Sequence, residues 1–221
     1  MEIEIDKPII EACPNMQIGI IRCAVKNSET SEELWAELQD EGQRIKNEYE
    51  LLEINKRPAI AATRKLYKAL GKDPNRYRVS SEALCRRIIR GIDIYRINTL
   101  VDLINLASIR SGYAIGGFDA DKIEGDKLTL RAGRADDKFE GIGRGILNIE
   151  GLPVYFDSVG GIGTPTSDEE RTKMTMDTCH IHVNINAFDE EMPMPEMMEW
   201  TISLLKKYAY AEDIYSTIVR P

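Results

Sequence analysis

The chain opens on short alternating segments. Glu2–Ile5 and Ile18–Val25 have the apolar rhythm of two strands, separated by a turn at Pro14 and Asn15. At Thr30-Ser31-Glu32-Glu33 a capping-box signature opens a helix. Its apolar positions Leu34, Leu38, Ile45, Tyr49 and Leu52 keep helical spacing, and it is expected to end near Asn55. Pro58 suits the first turn of a second helix and Gly71 its stop. Lys72–Asn75 reads as a turn. Ser80-Ser81-Glu82 caps a third helix that Gly91 ends, and a fourth runs from about Asn98 to Ser111, stopped by Gly112. Residues 113–186 switch to glycine-rich, short alternating segments, with strands expected at Leu128–Arg131, Gly145–Ile149, Pro153–Asp157 and Cys179–Ile185. A last helix spans roughly Pro195–Ala211. The helices gather mainly in the N-terminal half and a mixed or antiparallel sheet in the C-terminal half. Without regular βαβ alternation this is an α+β class.

No internal repeat or linker divides the chain, so residues 1–221 are expected to form a single domain, with 1–56 packing on a 57–187 core and 188–221 closing it. Hydrophobic residues make up 43% and charged residues 30%, which excludes disordered and collagen-like chains. No apolar run approaches the ~18 residues of a membrane helix. The acidic, alternating start does not resemble a signal peptide. Cys13, Cys23, Cys85 and Cys179 are widely spaced, which suits free thiols in a reducing cytoplasm.

A net charge of −8 argues against wholesale coating of nucleic acid. It hides an asymmetry. Between Arg57 and Arg96 stand eleven basic and three acidic residues, a local +8, leaving −16 elsewhere. Such a band suits either a docked polyanion or a solvated pair of helices.

The fourth helix is apolar nearly all round, with Leu100, Val101, Leu103, Ile104, Leu106, Ala107 and Ile109, so it should be buried. Asn98, Asp102 and Asn105 interrupt it along one narrow stripe. Those polar groups must be hydrogen-bonded, to an internal network, to a polar pocket, or to both. Gly116-Gly117 permits a tight turn, a bulge, or close approach of a ligand. Gly141–Gly145 and Gly160–Gly163 fit neither a dinucleotide fingerprint nor a phosphate loop. Thr164–Thr172 is a polar loop rich in hydroxyls and acids, and its Arg171 can fork onto a carboxylate or phosphate. His180 and His182 would share one strand face like two arms of a metal site, but no third ligand is evident, so no metal and no cofactor are expected. No nucleophilic triad is evident either.

The run Ile97–Asn105 resembles the Ile-Asn-Asn-Val-Val-Asp-x-x-Asn motif of the B3/B4 domain of the bacterial phenylalanyl-tRNA synthetase beta subunit. Gly116–Ile123, Leu130–Ala132 and the Asp157–Gly163 segment continue the likeness in order. Ser80–Arg87, Gly116-Gly117 and the Thr164–Thr172 loop are more similar to free-standing members of the family. The resemblance covers roughly residues 57–187. It implies a B3/B4-like fold and a protein that binds tRNA or aminoacyl-tRNA, with hydrolytic editing of a mischarged ester as the activity. Two departures stand out. Gly116 occupies the place of the family's histidine, and Val183–Asn186, before Ala187-Phe188, offers no counterpart of the editing glutamate. A complete phenylalanine-tRNA ligase is not expected, since these 221 residues leave no room for a catalytic core.

Under this reading Asn98, Asn105, Gly116, Gly117, Asp119, Thr166, Ser167 and Thr172 hold the substrate. Asp168 or Asp102 orients a hydrolytic water, and Arg171 or backbone amides stabilise the oxyanion. Arg86, Arg87 and Arg90 hold tRNA phosphates. The alternatives are a non-catalytic RNA- or partner-binding module, and a protein that binds or hydrolyses a small amino-acid-like molecule.

Overall fold

The computed structural model describes residues 1–189 and 191–221. β1 (Glu2–Ile5) runs into a short helix α1 (Lys7–Ala12), whose first amide donates to the Asp6 carboxylate. β2 (Gln17–Ala24) follows, then α2 (Glu32–Glu48), where the Ser31 hydroxyl accepts from the Leu34 amide. α3 is Pro58–Ala69 and α4 is Ser80–Ile89. α5 (Thr99–Ser111) begins at Asn98, whose side chain accepts from the Val101 amide, and stops at Gly112, which takes a φ of 72°. A left-handed residue there frees the chain to turn at once into β3 (Ala114–Asp119).

The C-terminal half adds β4 (Lys127–Ala132), the small hairpin of β5 (Glu140–Gly141) and β6 (Gly145–Ile146), β7 (Pro153–Phe156) and β8 (Gly161–Gly163). Then come β9 (His180–Ala187), α6 (Met194–Ala209) and β10 (Glu212–Val219). Two sheets result. One has the order β10-β2-β9-β3 and is antiparallel throughout; the other has the order β1-β4-β7-β8, with β1 parallel to β4.

Strand alternation decides what each face buries. Ile181, Val183 and Ile185 of β9 join Ile21, Leu100, Leu103, Leu106, Met197 and Leu205 under helices α5 and α6. The opposite face, with Ile18, Ile20 and Phe118, packs against Leu128, Leu130, Tyr155 and Ile162 of the other sheet. His182, Asn184 and Asn186 point the same way, into that inter-sheet layer, and all are buried. Asn186 is satisfied by the Tyr155 hydroxyl and the Ala114 carbonyl, and His182 Nε2 lies 2.7 Å from Asn184 Oδ1.

The α+β class is the observed one. Several boundaries differ from expectation. α2 ends at Glu48 because Tyr49 turns extended and the Glu53 carboxylate caps a turn at the Glu50 amide, leaving Leu52 74% exposed. The Gly116-Gly117 pair lies within β3 rather than in a turn. The strand expected over Gly145–Ile149 is only Gly145–Ile146. α1 and β10 were not expected: α1 is too short to show a period, and β10 carries a pairing irregularity between Glu212 and Tyr215 that spoils its alternation. Among the described residues no helix is long and apolar enough to cross a membrane.

Candidate functional site

α4, α5, β3 and the segment after β8 enclose a cavity of about 430 Å³. Leu84, Val101, Ile104, Ile115 and Met174 form apolar walls. Ile97 and Ile142 also line it and are 56% and 42% exposed, which puts them at the mouth. The polar groups are few: Ser80, Asn105, Ser108, Thr164, Ser167, Asp168 and Lys173. Apolar walls with a small convergent polar set are the usual make-up of a small-ligand site.

Asp168 is the chemical centre of that set. It keeps part of its surface toward the cavity, yet its carboxylate is surrounded by protein, and this desolvation raises its pKa to about 7 against the opposing pull of the Gly117 amide, which donates to it. β3 is an edge strand, so the carboxylate meets the border of its sheet. Small residues make room. A Cβ on Gly163 would fall 2.8 Å from Asp168 Oδ1 and 2.6 Å from the Phe118 ring, and one on Gly117 would fall 2.8 Å from Met174 Cε.

The backbone around Asp168 is fixed from several sides. The Thr164 hydroxyl accepts from the amides of Thr166 and Ser167, each at 3.0 Å, and closes a tight turn. The Ile142 amide donates to the Asp168 carbonyl at 3.1 Å and the Glu169 amide to the Ile162 carbonyl at 2.9 Å. Thr166 hydrogen-bonds the buried Tyr67 hydroxyl at 2.9 Å, and the Ser80 amide donates to the Pro165 carbonyl at 2.8 Å. The side chains of Ser80, Asn105 and Ser108, by contrast, make no hydrogen bond among the described residues and keep their capacity for the cavity.

A family model described as the B3/4 domain matches residues 62–194, a span that contains every residue lining this cavity. The chain belongs to the B3/4 domain family. Among solved structures, this chain is similar over its whole length to an N-terminal fragment of the phenylalanyl-tRNA synthetase beta subunit from Pyrococcus horikoshii, with 13% identity and a TM-score of 0.48. The match covers 54% of that fragment, so the chain spans about half its length. No curated protein matches.

In this B3/4 domain the expected site residues separate into two groups. Asn105, Gly117, Ser167 and Asp168 come together at the cavity, and Gly116 sits beside them, its Cβ position 3.5 Å from Asp168 Oδ1. The others lie elsewhere. Asn98 spends its side chain capping α5. Asp102 is fully buried, accepting from the Thr30 hydroxyl at 2.5 Å and from the Ile97 amide, and desolvation raises its pKa. It organises the entry to α5 and does not line the cavity. Arg171 turns away to Asp157 at 3.0 Å and to the Lys122 carbonyl. Asp119 caps the turn after β3 and accepts from Thr178. Thr166 faces Tyr67, and Thr172 is buried against the Ile162 carbonyl.

Part of the cationic band is consumed inside the protein, whereas Lys65, Lys68, Arg76 and Arg96 stay exposed. Arg57 is buried, paired with Glu191 at 2.7 Å, and donates to the Ile109 and Arg110 carbonyls that end α5. Arg64 pairs with Glu82, and Lys72 donates to the Asn148 and Glu150 carbonyls. Arg86 donates to the Leu51 carbonyl beside Glu82, and Arg87 donates to the Asp93 carbonyl. Arg90 is exposed. His180 is exposed and paired with Asp121, whereas burial lowers the pKa of His182 to about 4. Among the described residues no group of three or more His, Cys, Asp or Glu is placed to hold a metal.

Reading the sequence missed Ser80, Ser108, Ile142, Lys173 and Met174. A signal existed for Ser108. It stands three residues after Asn105 and seven after Val101, so those positions share a helix face.

Proposed function

We propose that the cavity receives the aminoacyl end of a cytoplasmic aminoacyl-tRNA and that Asp168 drives hydrolysis of its ester. The reading rests on one observation: a carboxyl whose pKa stands at about 7 faces an apolar, amino-acid-sized cavity. A general base is most effective when its pKa lies near the working pH. Asp168 takes a proton from water while the water oxygen attacks the ester carbonyl. The carbonyl carbon–ribose oxygen bond breaks, and the proton passes to the departing ribose oxygen. The products are a free amino acid and an uncharged tRNA. The side chains of Asn105 and Ser80 offer donors to the charge developing on the carbonyl oxygen. The family resemblance of Ile97–Asn105 and of the residues after Gly116 favours the same substrate class.

The test is release of amino acid from a panel of aminoacyl-tRNAs that includes tyrosyl-tRNA specific for phenylalanine. The wild-type protein should release amino acid faster than buffer does, and Asp168→Asn should be slower by about 10²-fold or more. Loss of ester at the buffer rate for the whole panel would overturn the reading.

The internal pairing of Arg57, Arg64, Lys72 and Arg86 favours a second reading, in which the ligand is a small amino-acid-like molecule without a polynucleotide. Filter retention of tRNA separates the two. Under the first reading retention falls with salt, and Arg90→Glu weakens it. Under the second there is no retention, while calorimetry detects the free ligand.

A further inference from the structure

The loop joining α4 to α5 carries an aromatic ring that the fold leaves uncovered. Tyr95 is 69% exposed. The Arg87 guanidinium lies 4.6 Å from the centre of its ring and is itself held, its Nε donating to the Asp93 carbonyl at 2.6 Å. A cation on one face fixes the ring and leaves a flat apolar surface open. The open face of such a ring is a surface on which a second π-system can stack.

Its position gives it a purpose. Arg87 stands three residues beyond Leu84 on α4, on the same side of that helix. Tyr95 stands two residues before Ile97, at the mouth of the cavity. Leu84 and Ile97 both line the cavity, so the Tyr95–Arg87 pair, though not part of the lining, stands close in the chain to residues that are. Ester hydrolysis at Asp168 would leave the ribose, and the base attached to it, outside the apolar walls. Base-on-aromatic stacking tolerates any base, because every base has a π-face.

We propose that Tyr95, braced by Arg87, is the stacking platform for the nucleobase of the nucleoside whose ester enters the cavity. This rests on the aminoacyl-ester reading above. It replaces the expected phosphate contact of Arg87 with a bracing role.

The test uses two hydrolysis-resistant probes and measures binding alone. One is the amide of phenylalanine with 3′-amino-3′-deoxyadenosine; the other is phenylalanine N-methyl amide, which has no base. Calorimetry should show the adenosine probe binding wild-type protein more tightly than the methyl amide. Tyr95→Ala should weaken the adenosine probe about tenfold and leave the methyl amide unchanged, while Tyr95→Phe should bind both like the wild type. The platform is overturned if both probes bind wild-type protein equally, or if Tyr95→Ala weakens both alike, which would mark a structural role for the loop. If neither probe binds wild-type protein, the cavity reading falls and the platform falls with it.

Discussion

Replacing Asp168 with asparagine tests the site through stability, independently of any substrate. The carboxyl has a pKa near 4 in an unfolded chain and about 7 in the folded protein. Between those values the folded state binds the proton more tightly. Stability from this group is therefore fully present below about pH 4 and is lost as pH rises through about 7. At about 1.4 kcal/mol per pH unit, the ionised carboxylate costs the fold about 4 kcal/mol at most. Asparagine has a similar shape, and its side-chain carbonyl can still accept from the Gly117 amide, but it has no charge to desolvate.

Urea unfolding of both proteins at pH 5 and pH 8 gives the answer. The advantage of Asp168→Asn over wild type should grow by about 2–3 kcal/mol between the two pH values, a range that follows from the same linkage. At pH 5, above the unfolded-state pKa, the variant should already lead by about 1–2 kcal/mol. The variant should meanwhile lose hydrolysis, the usual trade of stability against activity at a functional site. If the difference between the two proteins is the same at both pH values, the carboxylate is not held against its ionisation, and its case as a base near neutrality collapses.

Hydrolysis by wild-type protein should rise with pH and level off above about 7, as the pH profile of kcat/KM will show. Gly163→Ala puts a methyl against the Phe118 ring and Asp168 Oδ1; it should cost about 1–3 kcal/mol in thermal unfolding and reduce turnover as well. Arg57→Met removes the guanidinium that pairs with the Glu191 carboxylate and donates to the Ile109 and Arg110 carbonyls, leaving Glu191 the Ala59 amide alone. It should destabilise by about 3–5 kcal/mol in urea unfolding, without changing the salt dependence of tRNA retention. Thr30→Val removes the hydroxyl that holds Asp102 and should cost about 1–3 kcal/mol. That hydroxyl lowers a pKa already raised by burial, so the loss should be larger at pH 8 than at pH 5.

The starts of α2 and α5 and the stop of α5 were legible because they are written locally. Ser31 and Asn98 cap within three residues of themselves, and Gly112 stops α5 where its backbone must turn left-handed. β10 was not legible, since what makes it a strand is an edge of β2 almost two hundred residues upstream. The charge count overstates the surface charge for the same reason. Arg57 and Glu191 are 134 residues apart in sequence, and only the fold reveals that one neutralises the other. A band counted along the chain measures surface charge only when its members stay on the surface.

The polar stripe on α5 shows how far spacing reaches and where it stops. Period 3.6 groups Asn98, Asp102 and Asn105 on one side of a buried helix, but Asn98 is its extended cap and not a member of it, and spacing assigns no partner to any of them. The helix start claims Asn98, and Thr30 with the Ile97 amide claims Asp102, so the first turn is satisfied before any ligand arrives. Asn105 lies a turn further on, past those local donors, and is left facing the cavity. Asp168 follows the opposite logic. Nothing in its own loop distinguishes it from Glu169 or Glu170. It becomes singular because Gly163 lacks the side chain that would otherwise crowd its carboxylate, and because the Gly117 amide, from distant β3, donates to it. Gly163 was visible in the sequence within a run, Gly160–Gly163, that fits no known phosphate or dinucleotide loop. Its chemistry is the space it leaves for a carboxylate, and adding a methyl there is the most direct way to take that space back.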